Sequence, residues 1–448
     1  MKGFTERIGV NRKVAAIALI IVANAFVWYT FAFSFLTSSV NEMVATGELS
    51  IGELAIIFGS NFLGIAISAF LGSFLISKHK RRINFIFYWM FAGIIFSLLP
   101  MLIDHTSFAG ISVLAISLGV YFGVGMPICM GYYSATTEIG NRAKLSGLII
   151  LSIGIGFFLL KSIGSADATI VSLSLVIWRA LGLVSLFLLK PREKPIVQKT
   201  GVSYRSIILD KTFILYFIPW LMFSLINDMT FPVNQNFFPE TFISSTMLEN
   251  IVAGIAAVIG GFFADSVGRK RLTLTGFALL GLGYAVLGLF ADTSIKYFGW
   301  WFYITVDGVA WGIFSIIFLI TIWGDLAKEQ GSEKYYVLGS LPYLLSNFTR
   351  VSLGSFVADF VGNAFTIFSL AAFFLFLAVL PVVYAPETLP EKTIKHLELK
   401  NYVEKAQKEA EKTQRKEVES APSANENNGV EFESEEFEEK IKEAEKYY

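Results

Sequence analysis

Gly260-Gly-Phe-Phe-Ala-Asp265-Ser-Val-Gly-Arg269-Lys270 decides the fold, because a shift of 188 residues lays it over Gly72-Ser-Phe-Leu-Ile-Ser77-Lys-His-Lys-Arg81-Arg82. Each copy closes an apolar block and ends in a basic pair. A shift of 189 then sets Gly119-Val-Tyr-Phe-Gly123 over Gly308-Val-Ala-Trp-Gly312. Glycine recurs in any tightly packed segment, so the second match is the weaker of the two. Together, at nearly one offset, they read as a duplication with one copy in each half of the chain.

Working outward, 54% of the 448 residues are hydrophobic and 16% are charged. That balance exceeds what one soluble core can bury. The apolar residues arrive in blocks of about 20, the length that crosses a bilayer as a helix. Polar breaks place spans near 14–38, 51–76, 83–103, 108–133, 145–163 and 168–189, then near 212–236, 247–264, 272–290, 298–323, 337–358 and 364–385. The first block, Val14 to Leu36, is too long for the apolar core of a cleavable leader and reads as the first span. One cysteine, Cys129, and three histidines argue against a disulfide framework or a metal centre, and no cofactor is expected.

Lys and Arg in short loops stay on the cytoplasmic side. With both termini placed there, 21 of them fall in cytoplasmic segments before the tail, and only Lys161 and Lys296 fall outside. The expectation is a multi-pass cell-membrane protein with both termini cytoplasmic. A basic connector, 190–211, separates a first bundle, 1–189, from a second, 212–385. A charged tail, 386–448, follows and carries 17 Glu against 11 Lys plus Arg.

Gly261-Phe-Phe-Ala-Asp265-Ser-Val-Gly268-Arg269-Lys270 resembles the loop signature of the major facilitator superfamily. The resemblance implies an all-α integral membrane fold of twelve transmembrane helices in two pseudo-symmetric six-helix bundles. It also implies that this loop helps to lock a cytoplasmic gate. Gly268 would make the turn, Gly261 would let helices approach, and Asp265 would cap a helix or pair with a basic residue across the gate, with Arg269 a further gate candidate. The amino-terminal copy carries Ser77 where Asp265 stands. Glu138-Ile-Gly-Asn-Arg142 and Pro386-Glu387-Thr388-Leu389 are similar to the sugar-porter branch, with Glu138 and Arg142 as gate candidates or an ordinary interfacial ion pair. The spacing of that pair is shorter than is usual in the branch. The Gly- and Pro-rich fifth span of drug exporters is not matched by Gly147, Gly154 and Gly156.

Ionisable residues inside spans are costly and mark function by default. Asp228, Asp307 and Arg350 fall at similar depth, roughly 21 to 25 Å from the cytoplasmic ends of their spans at 1.5 Å per residue. The expectation is a cluster with Arg350 between the two aspartates, either a static bridge or a coupling site that takes up a proton when the arginine moves away. Arg179 reads as an unpaired cation beside a cavity, a candidate for an anionic or hydroxyl-rich substrate, or else as bonded to carbonyls, Asn24 or Asn61. Trp178 beside it could stack on a substrate or simply pack. Pro232 should break or kink the seventh span, leaving Asn227 and Asn234 to face a cavity or to lie in an external loop.

The reading is a monomeric secondary transporter of a sugar or organic acid, working by alternating access in the lipid bilayer, with protons as candidate coupling ions. A proton-coupled exporter of drugs or metabolites and a receptor signalling through the tail stay open. No nucleotide loop, nucleophile or nucleic-acid signature supports an enzyme or a nucleic-acid binder.

Overall fold

In a bilayer every backbone polar group needs an internal partner, and uninterrupted apolar runs satisfy that as helices. The computed structural model describes residues 12–77, 81–164, 167–191, 193, 202–328, 331–360 and 364–389, with backbone alone at 355–360 and 364. Lys78, Lys80 and the tail from Glu391, to which the sequence reading assigned topogenic and solvated roles, lie outside the described residues. The long helices are α1 (Arg12–Ala45), α2 (Ile51–Ser77), α3 (Arg82–Phe96), α4 (Phe108–Thr136), α5 (Ile139–Ile163), α6 (Ala168–Leu189), α7 (Lys211–Phe237), α8 (Phe242–Ser266), α9 (Arg269–Phe290), α10 (Lys296–Phe314), α11 (Ser332–Phe360) and α12 (Ala364–Tyr384). No strand occurs among the described residues.

Local signals set several starts. The Ser107 hydroxyl accepts from the N–H of Gly110 ahead of α4, Asp167 accepts from Thr169 and Ile170 ahead of α6, and Asp210 accepts from Thr212 ahead of α7. Among the described residues, 11 helices are long and apolar enough to cross a membrane. α11 is as long but carries Glu333, Lys334, Asn347 and Arg350, and it runs against α2, α4 and α7.

Packing follows the repeat. α2 lies on α4, α1 on α5 and α6, and α3 on α4 and α6; in the second half α8 lies on α10, α7 on α11 and α12, and α9 on α10 and α12. A shift of six helices converts one set of contacts into the other. The same operation relates the two seams between the halves, α2 with α11 and α5 with α8. The matched glycines do the same work in each half. A Cβ on Gly119 would sit 2.5 Å from the carbonyl of Asn61, and one on Gly308 would sit 2.8 Å from that of Glu249. Gly123 and Gly312 likewise face the carbonyls of Ile65 and Ala253. Large apolar side chains such as Phe74, Phe91, Phe187, Ile243 and Phe373 point outward, where lipid would meet them.

Two expectations are corrected. α7 runs unbroken from Lys211 to Phe237 with Pro219 and Pro232 inside it. Asn234 is therefore helical and buried, and the amides form no external loop. Pro232 removes the donor for the Asp228 carbonyl, a loss that one turn of a packed helix tolerates. The second correction concerns helix starts: α5 begins at Ile139 and α8 at Phe242, before the apolar blocks that suggested 145 and 247. Arg142 in the first turn of α5 pairs with Asp325 of the opposite half, and Ser245 and Thr246 near the start of α8 donate back to the Phe242 carbonyl.

The last part of α10 continues as a π-helix, Ser315–Thr321, and then as Ile322–Leu326. Its wider turns are supported from the side. The Trp323 indole donates to the Phe318 carbonyl, and the Tyr336 hydroxyl of α11 donates to that of Ile320, each at 2.5 Å.

Candidate functional site

The end of the bundle carrying the loops of Arg81, Arg142 and Arg269 is sealed by charge pairs across the halves. Arg142 on α5 meets Asp325 at 2.5 Å, and Arg269 at the start of α9 meets the other oxygen of Asp325 at 2.8 Å. Arg269 also pairs with Asp265 at 2.9 Å and donates to the Ile139 carbonyl of α5. Asp265 in turn accepts from the N–H groups of Ala143 and Lys144. The result is a closed ring, α5–Asp325–Arg269–Asp265–α5, with Arg269 and the Asp325 carboxylate fully buried. A second lock joins Arg82 of α3 to Glu333 of α11 at 2.5 Å and to Glu193 at 3.1 Å.

Gly261 and Gly268 stand where the signature requires small residues. A Cβ on Gly261 would lie 2.5 Å from the Ala143 carbonyl, and Gly268 has φ +111° with the Glu387 carboxylate against it. That carboxylate accepts from the N–H groups of Arg269 and Lys270, and Glu193 accepts likewise from Ile83. Each half therefore sends an acidic side chain from the segment after its last helix onto the N-terminus of its third, where an anion is favoured. Arg142 does not pair with Glu138, which is exposed; the arginine turns inward to Asp325, Thr137 and the Ser134 carbonyl.

Arg179 is not an unpaired cation. It is fully buried, donating to Asn24 at 2.6 Å and to the Tyr121 hydroxyl at 2.6 Å, with its guanidinium 4.3 Å from the centre of the Trp89 ring and 5.5 Å from Trp28. Asn24 donates to the Trp178 carbonyl, and the Trp178 indole returns a bond to the Asn24 carbonyl. Asn24, Trp178 and Arg179 thus fasten α1 to α6. Arg179→Gln is expected to lower the melting temperature in detergent, through a loss of about 2 kcal/mol or more typical of a desolvated cation–π site, with transport selectivity unchanged. A selectivity change at unchanged melting temperature would contradict this placement.

Asn61 lines a cleft. A narrow, partly open cleft with about 10 Å³ of free volume, room for about one water molecule, lies at the α2/α11 seam, walled by Tyr29, Phe33, Phe58, Phe62 and Phe348 with Asn61 and Asn347. Asn61 is already engaged, donating to the Ala115 carbonyl and accepting from Tyr29. Asn347 accepts from Arg350 at 2.7 Å. The Arg350 side chain is 30% exposed, lies over the Phe231 ring, and stands 3.5 Å from Asp228, which accepts from Ser346 at 2.6 Å. Arg350 is thus a loosely paired cation one hydrogen bond from the lining residue Asn347.

The expected Asp228–Arg350–Asp307 cluster is half right. Asp228 pairs with Arg350, but Asp307 lies in a hydrogen bond with the Tyr303 hydroxyl at 2.8 Å and has no cation partner among the described residues. The carboxylate within electrostatic reach of both Arg350 and Asp307 is Glu249 of α8. The sequence reading missed it because the span was begun at 247, which left Glu249 at the surface. The repeat would have found it: the 188-residue shift that aligns the halves carries Asn61 onto Glu249. Asn227 and Asn234 each bury a side-chain oxygen without a partner in α7. Asp325, Glu333 and Glu193 were also missed, since acidic residues at helix ends look like solvated surface in a sequence.

Residues 14–331 match the family model described as Major Facilitator Superfamily. Over 185 residues, 40% of this chain, the sequence is 25% identical to the Hippocampus abundant transcript 1 proteins of Mus musculus and Homo sapiens. The match spans 36% of those relatives, about a third of their length. Among solved structures, the human organic anion transporter MFSD10 (TETRAN) superposes with TM-score 0.62 at 14% identity, covering 83% of this chain and 99% of that one. The proton:xylose symporter XylE, bound to 6-bromo-6-deoxy-D-glucose, superposes with TM-score 0.60 at 16% identity, covering 86% and 98%. At these identities the likeness is one of fold.

Proposed function

Since the chain belongs to the major facilitator superfamily, we propose that it is a secondary transporter, not an enzyme, that carries a small organic anion with an aromatic or apolar body by alternating access. The lining of the narrow cleft at the α2/α11 seam, which would widen as the halves rock, carries this reading. Five aromatic rings line it, Arg350 is bonded to the lining residue Asn347, and the pairing of that arginine with Asp228 is long enough to yield to an anion. A sugar would need a partner for each hydroxyl, whereas the amide of Asn61 is already spent on Ala115 and Tyr29. Within the expected classes, an organic acid is therefore favoured over a sugar. The organic anion transporter among the structural neighbours points the same way.

In this reading the basic end is cytoplasmic, the conformation is the one closed to the cytoplasm, and the halves 1–189 and 212–385 rock about the two seams. The bilayer and the solute are the partners, and the protein acts as a monomer. The test is tracer exchange in proteoliposomes with labelled benzenesulfonate, succinate and xylose, for the native protein and Arg350→Gln. Exchange of the aromatic anion, weakened about tenfold by the loss of roughly 1.4 kcal/mol of binding in the variant, supports the reading. Exchange of xylose alone would overturn it. Truncation after Glu391 is expected to leave exchange unchanged; a lost flux would favour the tail as a working part.

A further inference from the structure

Beyond the cleft, α7, α9 and α10 share a buried run of hydroxyls that ends on a carboxylate. The Tyr303 hydroxyl lies 2.8 Å from one oxygen of Asp307 and 3.0 Å from the Tyr284 hydroxyl. Tyr284 lies 2.6 Å from the Thr230 hydroxyl, and Thr230 lies 3.0 Å from the Asn227 carbonyl. The residues Asp307, Tyr303, Tyr284 and Thr230 are all buried, at 3% exposure or less. The other oxygen of Asp307 is buried with no partner.

Each hydroxyl has one hydrogen, so the run has only two consistent polarities. With Asp307 ionised, Thr230 donates to Tyr284, Tyr284 to Tyr303 and Tyr303 to Asp307. The Asn227 carbonyl then receives nothing from the run, and a bare charged oxygen of Asp307 is left in an apolar interior. With Asp307 protonated, the run reverses: Asp307 donates to Tyr303, Tyr303 to Tyr284, Tyr284 to Thr230, and Thr230 to the Asn227 carbonyl. Every hydrogen is then placed and no unpaired charge is buried. Burying a polar group with its bonds made costs little, whereas burying an unpaired charge costs much.

The charged and titratable groups around Asp307 agree. Its own helix supplies Tyr303, α9 supplies Tyr284, and α8 supplies Glu249, whose backbone is pressed against Gly308 and whose carboxylate is within electrostatic reach of Asp307. Arg350 of α11 acts on Glu249 and is occupied by Asp228 and Asn347. No cation is therefore within ion-pair distance of Asp307 among the described residues.

We propose that Asp307 is a site for one exchangeable proton, occupied in this conformation, and that Tyr303, Tyr284 and Thr230 are positioning residues whose hydrogen bonds reverse direction when the proton arrives or leaves. The carboxylate takes up one proton, three hydroxyls reorient, and no other bond is made or broken. Its consequence for coupling rests on the transporter reading above; the proton site itself does not. Because the run ends on Asn227, next to Asp228, the orientation of the hydroxyls is sensed one residue from the carboxylate that holds Arg350. Movement of Arg350 toward an anion and the loading of Asp307 are in that way linked through α7.

Infrared spectra of the purified full-length protein in lipid test the site without any substrate. At neutral pH the native protein should show the carbonyl stretch of a protonated carboxylic acid. It should vanish in Asp307→Asn, persist in Glu249→Gln, and move to higher frequency in Tyr303→Phe, where the acid loses its acceptor. Identical spectra for native protein and Asp307→Asn would overturn the proposal, and so would a band that disappears with Glu249 instead. Should Asp307→Asn fail to fold, an unmoved band in Tyr303→Phe overturns it on its own. For the consequence, benzenesulfonate, which stays ionised, is the probe. Asp307→Asn should lose accumulation driven by a pH gradient while retaining exchange at equal pH. Gradient-driven accumulation equal to the native protein, or loss of both activities, would overturn the coupling role even where the infrared band is present. No exchange by any of these proteins would instead count against the anion reading.

Discussion

Asp325→Asn is expected to open the basic end of the bundle. Among the described residues, Asp325 is the one carboxylate that both Arg142 and Arg269 contact, at 2.5 and 2.8 Å, and its side chain is fully buried. Removing its charge leaves Arg142 with only neutral partners, Thr137 and the Ser134 carbonyl, while Arg269 keeps Asp265. Breaking a buried pair by removing one partner costs about 3–5 kcal/mol. Spread over a two-state equilibrium, that is a shift of about two to nearly four powers of ten. The cost falls on the closed state, because separated halves would let water reach the arginines. A single cysteine at Ser134, in a Cys129→Ser background, reports the change, since Ser134 is 7% exposed and sits beneath Arg142. Its labelling by a water-soluble maleimide should accelerate strongly in Asp325→Asn. Unchanged labelling would mean that the Arg82–Glu333 lock, or packing alone, keeps this end shut.

Gly72→Val should produce the largest loss of folded protein. The Cβ of any other residue at Gly72 would lie 2.2 Å from the carbonyl oxygen of Val124, and that oxygen belongs to a helix backbone that cannot turn aside. α2 and α4 would have to part along their length, as Gly64 and Gly119 meet backbone in the same seam. Overpacking in a tight core costs about 1–3 kcal/mol and occasionally more, and valine adds two methyl groups to the clash. Gly154→Ala is the control, since a Cβ there meets nothing within 4 Å. Melting temperature in detergent should fall sharply for the first and stay put for the second. Equal values for both would show that the seam tolerates a wider spacing.

How much of this was readable beforehand differs residue by residue. The duplication was visible because glycines that carry helices past one another leave the same mark twice, as Gly119 and Gly308 do. Asp265 and Arg269 were visible because the loop between two spans is short and its chemistry is local. For Arg179 the sequence leaves open an unpaired cation or a bond to carbonyls, Asn24 or Asn61; the structure shows the bond to Asn24, and the sequence could not choose because the neutral partners Asn24 and Tyr121 lie 155 and 58 residues away. Glu249 was passed over because its helix begins five residues before the apolar block.

The sequence by itself determined the class of structure, the number of long helices and the two-fold repeat, because hydropathy and helix length are properties of a segment taken alone. The tertiary structure alone decided which charges meet. Asp325 locks to Arg142 and Arg269, and Asp307 turns from Arg350 to a line of hydroxyls, because pairing in a low-dielectric interior depends on which helix faces are brought together. That choice is made by glycine seams and side-chain packing between segments far apart in the chain, where no local pattern records it.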